Sequence, residues 1–238
     1  MGTSVVVGAS GGLGAAVLAR LAKARPDDRL LALSRRRPDN LPDQADWAYL
    51  DLTDEASIAA AAEGLGAGEG ADLVFVATGQ LHGPGLSPEK SWRSLEADAL
   101  MAAFQVNAVG PALVAKHFLP RLARDRRATF AALSARVGSI GDNRLGGWHG
   151  YRASKAALNQ MIRTVAIELA RQRPQAICVA LHPGTVATAL SAPFQSGVAQ
   201  EKLFTPDFAA ERMLAVLDGL SPADSGGFFA WDGAPIPW

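Results

Sequence analysis

The chain has 238 residues, of which 49% are hydrophobic and 19% charged, which is typical of a folded globular protein and excludes an intrinsically disordered one. Its 23 Lys and Arg residues balance its 23 Asp and Glu residues, so the net charge gives no support to nucleic acid or an anionic membrane surface as a partner. The single cysteine, Cys178, excludes an internal disulfide framework.

Short apolar runs alternate with longer helical patterns along the chain. The predicted strands are 4–7, 30–34, 47–51, 73–77, 128–133, 176–181 and 227–231. The predicted helices are 13–25, 54–63, 93–123, 150–172 and 206–219. Continuous apolar strands are buried on both faces, and helices between them imply parallel crossovers. The pattern therefore predicts one domain over 1–238, a doubly wound α/β Rossmann fold with a mostly parallel seven-stranded sheet.

A glycine-rich loop joins the first strand to the first helix. Its sequence is Gly8-Ala9-Ser10-Gly11-Gly12-Leu13-Gly14. Glycines let the chain turn tightly and let backbone amides approach a pyrophosphate at a helix N-terminus. The loop therefore predicts a dinucleotide site that includes Gly8, Ser10, Gly12, Leu13 and Gly14.

The end of the second strand indicates which dinucleotide is bound. An acidic residue at this place holds a ribose 2′-hydroxyl, whereas arginine accommodates a 2′-phosphate. The chain has Ser34-Arg35-Arg36-Arg37 here, with no carboxylate until Asp39. We expect NADP rather than NAD, with Arg35 as the main contact and Ser34 beside it; the alternative is a basic surface turn.

Two further segments flank the predicted cofactor site. Asp51 and Leu52 follow the third strand, where the Asp51 carboxylate can accept a hydrogen bond from an adenine amino group. Thr53 can act there as the N-cap of the next helix, and the two roles are compatible. Near the end of the chain, 188–205 has mixed polarity, which favours a mobile lid.

Tyr151 and Lys155 stand four residues apart in a predicted helix, so they lie on one face, one turn apart. A nearby ammonium favours the phenolate and lowers the pKa of a tyrosine toward the range of an acid/base catalyst. Because chance surface pairs with this spacing are common, the pair gains weight only from the motifs around it.

Taken in order, these motifs resemble the short-chain dehydrogenase/reductase family over nearly the whole chain. The matching residues are Gly8, Gly12, Gly14, Asp51-Leu52-Thr53, Asn107, Tyr151, Lys155 and His182-Pro183-Gly184-Thr185-Val186. Residues 136–151 and the ending 231–238 look like the carbonyl-reductase-like and C-factor-like branch of the family.

The resemblance implies a role for each matching residue. Tyr151 would be the general acid for carbonyl reduction or the base for alcohol oxidation. Lys155 would lower its pKa and hold the nicotinamide ribose, and Asn107 would hold a water in the proton relay. Pro183 and Gly184 would turn the chain so that Val186 and Thr188 meet the nicotinamide amide.

Two departures from the family pattern are visible. The fourth strand ends in Val76-Ala77-Thr78-Gly79 instead of Asn-Asn-Ala-Gly, which keeps Thr78 and Gly79 as cofactor contacts but lacks the asparagine amides. The family's Ser-Ser pair aligns with Ser134 and Ala135, although the second serine usually bears the catalytic hydroxyl. Ser134 at the strand end is favoured as the residue that positions the substrate, with Ser139 as the alternative.

These observations predict a cytoplasmic, NADPH-dependent reductase of a small carbonyl compound (an aldehyde, ketone or quinone). The alternative is a dinucleotide-binding sensor or signalling protein with little turnover. The four histidines have no metal-ligand spacing, so no metal is expected. No apolar run approaches the length of a membrane span, so no membrane is expected as a partner. Relatives imply a homodimer or homotetramer built on the predicted helices 93–123 and 150–172.

Overall fold

The computed structural model describes residues 2–66, 70–83 and 86–238, in which seven strands form one parallel sheet of order β3-β2-β1-β4-β5-β6-β9. The strands of this sheet are β1 (Thr3–Val7), β2 (Arg29–Ser34), β3 (Ala45–Tyr49), β4 (Leu73–Val76), β5 (Ala128–Leu133), β6 (Ala176–His182) and β9 (Phe228–Ala230). From β1 the chain first adds β2 and β3 on one side of the sheet and then β4, β5, β6 and β9 on the other, so the topological switch point lies between β1 and β4. Ligands bind at this point in such sheets. The predicted doubly wound fold is confirmed.

Six α-helices cover the two faces of the sheet. They are α1 (Gly12–Ala24), α2 (Glu55–Glu63), α3 (Ala97–Phe104), α4 (Gly110–Phe118), α5 (His149–Gln172) and α6 (Pro206–Gly219). The core on one face joins the sheet to α2, α4 and α5 through residues such as Ile58, Phe118 and Leu158. The other core joins it to α1 and α6 through Val17 and Met213. Both sheet faces are therefore buried, as the continuous apolar strands predict.

The predicted helix 93–123 is interrupted. Between α3 and α4, Gln105–Val109 forms a π-helical turn, and single 3₁₀ turns occupy Trp92–Ser94 and Leu119–Arg121. A π turn widens a helix and is frequent at functional sites. The interruption contains Asn107, which is fully buried against the active-site region.

The stretch Ala97–Arg121 is 25 residues long and contains an 18-residue window with a mean hydropathy of 1.3, so it is long and apolar enough by composition to cross a membrane. The prediction that no apolar run approaches that length was therefore wrong. One such helix is weak support for a membrane protein, because the core helices of other proteins have the same length and composition. Here α3 and the π turn pack against α5.

Two short strands were not predicted from the sequence. Strands β7 (Thr185–Val186) and β8 (Leu203–Phe204) form a separate parallel ribbon that closes the 188–205 segment onto the end of β6. Each has two residues, too few for any periodicity to reveal. The ribbon ties both ends of the predicted lid to the body of the protein.

Candidate active site

The glycine loop ends in an uncapped helix. The N-cap residue of α1, Gly11, has no side chain to accept a hydrogen bond, and the first turn contains no acidic residue. Ser10, Gly11 and Gly12 are exposed, so the first backbone amides of the helix face solvent. An open helix N-terminus of this kind attracts phosphate through its amides and its dipole.

Close packing explains why glycine occupies this loop. A Cβ on Gly14 would lie 2.2 Å from the Gly8 carbonyl oxygen, and Gly8 itself has a φ of +86°. A Cβ on Gly12 would lie 2.9 Å from the Thr188 Cγ2, which brings the predicted lid against the loop. Leu13 turns inward into the core. The loop therefore offers its backbone, and not its side chains, to a ligand.

The buried end of β4 carries a polar atom without a partner. Among the described residues, the hydroxyl oxygen of Thr78 makes no hydrogen bond. Gly79 lies beside it, and a Cβ at Gly79 would be 3.4 Å from Lys155 Nζ and 3.6 Å from Asn107 Oδ1. An unsatisfied buried hydroxyl beside the glycine loop fits a site that a polar cofactor completes.

At the end of β2 three arginines project into solvent. Arg35, Arg36 and Arg37 are exposed, while the buried Ser34 hydroxyl donates to the Arg36 carbonyl oxygen at 2.6 Å. Burial opposes ionisation of Asp51, but hydrogen bonds from Thr53 and the charge of Arg35 outweigh it and lower the pKa of Asp51. The predicted adenosine contacts Arg35 and Asp51 therefore lie close together.

Two details of the Asp51 segment differ from expectation. The N-cap of α2 is Asp54, whose carboxylate accepts from the Ala56 amide at 3.1 Å, so the prediction of Thr53 as N-cap was wrong. Thr53 instead donates from its amide and hydroxyl to one oxygen of Asp51. The other Asp51 oxygen remains for a ligand donor, and Leu52 beneath it is buried.

Tyr151 and Lys155 lie in the first two turns of α5. The Lys155 Nζ lies 5.9 Å from the centre of the Tyr151 ring and donates to the Leu133 carbonyl oxygen at 2.9 Å. It also lies 3.5 Å from the Thr78 carbonyl oxygen. The Lys155 amino group thus joins the segments that end β4 and β5.

Burial controls the protonation of this pair. It raises the pKa of Tyr151 to about 12 and lowers the pKa of Lys155 to about 7. The expectation that the ammonium lowers the phenol pKa is therefore wrong for this closed structure. The physical reason is that both groups are removed from water, which penalises both charged forms.

Asn107 connects three elements. Its side-chain Oδ1 accepts from the Gln80 amide at 2.8 Å, and its Nδ2 donates to the Gln80 carbonyl and to the Ser154 hydroxyl. Ser154 in turn donates to the Tyr151 carbonyl. Asn107 therefore fixes the segment after Gly79 to the turn of α5 that carries Tyr151.

The structure argues against Ser134 as the residue that positions the substrate. Its hydroxyl is buried and donates its one proton to Asn159 Oδ1 at 2.6 Å. A hydroxyl has a single O–H donor, so this proton is not directed at a substrate oxygen. In this structure Ser134 joins the end of β5 to α5, and its role in positioning the substrate stays a prediction.

Ser139, the alternative, is differently placed. It is buried after the 3₁₀ turn Arg136–Gly138, and its oxygen accepts from the Asp142 amide at 3.2 Å. Among the described residues, the Ser139 hydroxyl donates no hydrogen bond. Gly138, its neighbour, packs directly on the Lys155 backbone, which places this turn beside the catalytic helix. Ser139 therefore retains a donor that Ser134 lacks.

The turn after β6 has the predicted form. Gly184 has a φ of +78°, and a Cβ there would lie 2.6 Å from the Phe204 ring. The chain then enters β7 at Thr185 and buries Val186, whose carbonyl accepts from the Ser191 hydroxyl. Pro183, just before the turn, is only partly buried. Thr188 reaches the glycine loop, so Val186 and Thr188 approach the same cofactor site as Gly12.

Aromatic side chains that sequence patterns did not bring together close over Tyr151. The Trp148 ring lies 6.3 Å from the Tyr151 ring and 5.1 Å from the Phe194 ring, centre to centre. Phe194 also contacts His82, whose ring nitrogen lies 3.1 Å from the Ala189 carbonyl. We name His82, Trp148 and Phe194 the aromatic cover. Two of the three had a signal in sequence: Trp148 stands three residues before Tyr151, and Phe194 lies in the predicted lid 188–205.

Among the described residues, no three His, Cys, Asp or Glu side chains cluster as a metal site would require. The fold and the site define a dinucleotide-binding oxidoreductase: an open helix end lies at the sheet's switch point, at the same edge as the partly buried Tyr151 and the buried Lys155. This class is the one that the comparisons with known proteins also identify.

A family model for short chain dehydrogenase matches residues 3–199. The chain is 39% identical to C-signal of Myxococcus xanthus over 136 residues, which are 57% of this chain and 76% of that protein. It is 31% identical over 247 residues to 1-hydroxy-2-glutathionyl-2-methyl-3-butene dehydrogenase of Rhodococcus sp. (strain AD45), with 100% of both chains covered. The NADPH-bound carbonyl reductase from chicken fatty liver superposes with a TM-score of 0.85 at 28% identity, covering 100% of this chain and 98% of that one.

The chain belongs to the short-chain dehydrogenase/reductase family. It is an oxidoreductase of the carbonyl-reductase-like branch, and its family binds a nicotinamide dinucleotide. The prediction of family and fold is thereby confirmed.

Proposed function

We propose that the protein uses NADPH to reduce a small carbonyl compound, an aldehyde, ketone or quinone. The observation that carries this proposal is the juxtaposition of Tyr151 and Lys155 with the carbonyl ends of β4 and β5. The open N-terminus of α1 lies at the same edge of the sheet. A proton donor and a cofactor cradle thus face one space.

The bound dinucleotide would supply a hydride to the substrate carbon. Tyr151 then donates its phenolic proton to the carbonyl oxygen, so one C–H and one O–H bond form. The phenol is protonated near neutral pH, as a general acid must be, and its burial raises its pKa further. Lys155 holds the nicotinamide ribose and, when charged, stabilises the phenolate left behind. Asn107, which is bonded to Gln80 and Ser154, would hold a water of the proton relay to Lys155.

The 2′-phosphate of NADPH would meet the arginines that follow Ser34. Arg35 is exposed beside Asp51, so its guanidinium is free to pair with a phosphate group. The other cofactor contacts are Gly8, Ser10, Gly12, Leu13, Gly14, Leu52, Thr78, Gly79, Pro183, Gly184, Val186 and Thr188. The NADPH-bound chicken carbonyl reductase supports the choice of NADPH over NADH.

The aromatic cover would give the substrate space an apolar wall. Trp148 lies against Tyr151, Phe194 packs on Trp148, and the 188–205 segment that carries Phe194 is the proposed lid. Apolar walls favour a substrate with a hydrophobic part and exclude water from the transferred proton. Ser139 is the remaining hydroxyl for holding the substrate oxygen.

The test is NADPH oxidation against a panel of aldehydes, ketones and quinones, with Tyr151→Phe as the control. General acid catalysis contributes about 10²–10⁴-fold, so the variant should lose about that much turnover while it binds NADPH normally. Equal turnover in the two proteins would overturn the assignment of Tyr151. The phenylalanine keeps the ring, so packing under the aromatic cover is preserved.

A second candidate is a dinucleotide-loaded sensor or signalling protein with little turnover. Two observations favour it: the Ser134 proton is engaged by Asn159, and a relative of 39% identity bears the name C-signal. Tight NADPH binding without Tyr151-dependent turnover on any panel member would favour this candidate. The buried Tyr151 and Lys155 favour the reductase, because a sensor has no need of a proton donor.

We also propose a cytoplasmic homodimer or homotetramer built on the α3–α5 surface. Met101 at 71% and Ile167 at 48% exposure are large apolar side chains on these helices. Exposed apolar side chains grouped on neighbouring helices are typical of a protein–protein contact. Light scattering of the purified protein measures the number of subunits.

A further inference from the structure

The catalytic helix begins with an unusual turn. Gly146, Gly147 and Trp148 have φ values of 64°, 67° and 53°, so three successive residues adopt left-handed backbone conformations. Trp148 is the only described non-glycine residue with a positive φ. For a bulky side chain this conformation costs free energy, and it persists only where the surroundings hold it.

The N-terminus of α5 has no cap within its own sequence. Its N-cap residue is Trp148, which offers no side-chain acceptor, and its first turn contains no acidic residue. A 24-residue helix with free first amides and an uncompensated dipole end tends to fray at its start. Tyr151 lies in that first turn, so fraying would move the proton donor.

Glu89, 61 residues earlier in the chain, supplies the missing cap. Both of its carboxylate oxygens accept from the Gly150 amide, at 3.3 and 3.1 Å. Its backbone carbonyl accepts from the Trp148 amide. Glu89 is only 7% exposed and forms no ion pair with any described residue. A buried carboxylate is costly unless its surroundings stabilise the charge, and here the helix dipole does so.

The residue that meets Glu89 must be glycine. A Cβ on Gly150 would lie 2.9 Å from Glu89 Oε1 and 3.3 Å from the Leu100 side chain. Any larger residue would therefore push the carboxylate away from the helix end. The Glu89 carboxylate can approach the Gly150 amide this closely because Gly150 has no side chain.

Arg152 holds the other side of the same turn. Its guanidinium donates to the carbonyl oxygens of Val137, Gly146 and Gly147 at 3.3, 3.2 and 2.9 Å. The left-handed turn is thus fixed by Arg152 from within the helix and by Glu89 from outside it. With both in place, the Trp148 ring packs against Tyr151.

We propose that Glu89 is a positioning residue for Tyr151: its buried carboxylate caps α5 and holds the left-handed turn that seats Trp148 on the tyrosine. The proposal rests on the proposed reductase function in assigning the proton transfer to Tyr151. Glu89 acts on Tyr151 through the Gly150 amide.

Two variants separate the cap from simple packing. Glu89→Ala removes the acceptor, and a misplaced catalytic group should lower kcat by about 10- to 100-fold. Because Tyr151 acts in the transition state, kcat/KM should fall equally, with KM and NADPH affinity unchanged. Glu89→Gln keeps an oxygen acceptor and should retain kcat within about threefold. Glu96→Ala is the matched control, since Glu96 is an exposed N-cap whose side chain makes no capping bond.

The rate of amide hydrogen exchange at Gly150 and Tyr151 reports whether the helix start is capped, and this measurement does not depend on turnover. Glu89→Ala should speed exchange there by about tenfold or more, whereas Glu89→Gln and Glu96→Ala should match the wild type. If Glu89→Ala does not fold, Glu89→Asp keeps the charge but draws it back by one methylene, and the same acceleration is expected.

Unchanged exchange in Glu89→Ala, or in Glu89→Asp where the alanine variant does not fold, would overturn the cap, whatever the enzyme activity. Faster exchange with unchanged kcat would overturn the positioning role. A wild-type protein without Tyr151-dependent turnover would overturn the proposed function alone, because the exchange measurement would still decide whether Glu89 holds the helix start.

Discussion

Two helices begin at the active-site edge of the sheet, and their N-termini are built in opposite ways. Helix α1 starts at exposed glycines with no capping side chain. Helix α5 starts under a buried glutamate that occupies its second amide. An open N-terminus leaves its amides for a ligand's anion, whereas a closed one fixes its own residues in place. The proposed cofactor half of the site is therefore exposed backbone, and the proposed catalytic half consists of the partly buried Tyr151 and the buried Lys155.

Closing the open helix end should have the largest effect. Gly11→Asp places a good N-cap acceptor and a negative charge where the pyrophosphate would bind. We expect NADPH affinity to fall by about 100-fold or more while the free energy of unfolding rises by up to ~1 kcal/mol. Gly11→Ala, which adds the Cβ without the charge, is the control and should bind far better. Calorimetric titration with NADPH measures the affinity of each variant, and equal affinities of Gly11→Asp and Gly11→Ala would contradict an anion site here.

The basic turn after β2 tests whether the exposed half selects the cofactor. A charge-assisted hydrogen bond contributes about 1.5–3 kcal/mol, so Arg35→Asp should weaken NADPH binding by about 10- to 100-fold. NADH binding should change much less because NADH has no 2′-phosphate. Dissociation constants for both nucleotides give the answer. Equal weakening would show that Arg35 does not read the phosphate.

The two serines sharpen the account of the buried half. Ser139→Ala should lower kcat/KM by about tenfold, the loss expected for one hydrogen bond to the transition state. Ser134→Ala should reduce stability by about 1–3 kcal/mol, since it leaves Asn159 without a donor, with a smaller effect on kcat. Kinetics and urea unfolding of both variants distinguish these roles. The reverse pattern would return the substrate contact to Ser134.

A further prediction concerns Lys155 and pH. Its pKa is about 7 in the folded protein against 10.5 in an exposed lysine, so the unfolded chain binds more protons between these values. The unfolding free energy should therefore rise with pH from 7 toward 10.5 on account of this group. Lys155→Met removes that rise. The unfolding free energy of the variant, relative to that of the wild type, should therefore be highest near pH 7 and should fall as the pH increases. Urea unfolding at pH 7, 8, 9 and 10 measures it, and parallel curves would contradict the burial of a neutral lysine.

Much of this protein was predictable from sequence because its signals are local. Apolar runs placed the seven strands of the sheet to within two residues at most ends, and glycine spacing located the cofactor loop. The interruption at Gln105–Val109 was missed because a π turn depends on what Asn107 contacts across the fold. The engagement of Ser134 by Asn159 and the cap from Glu89 were missed for the same reason: they join residues 25 and 61 positions apart.

Hydride transfer itself tests the central claim most directly. The protein is incubated with NADPH deuterated at the transferable position of C4 and with each panel substrate. Mass spectrometry then measures the deuterium content of each product. The account predicts one deuterium on the carbinol carbon of at least one product with the wild type, and at most a trace with Tyr151→Phe. Saturating NADPH binding without deuterium in any product, or equal labelling by the two proteins, would contradict it.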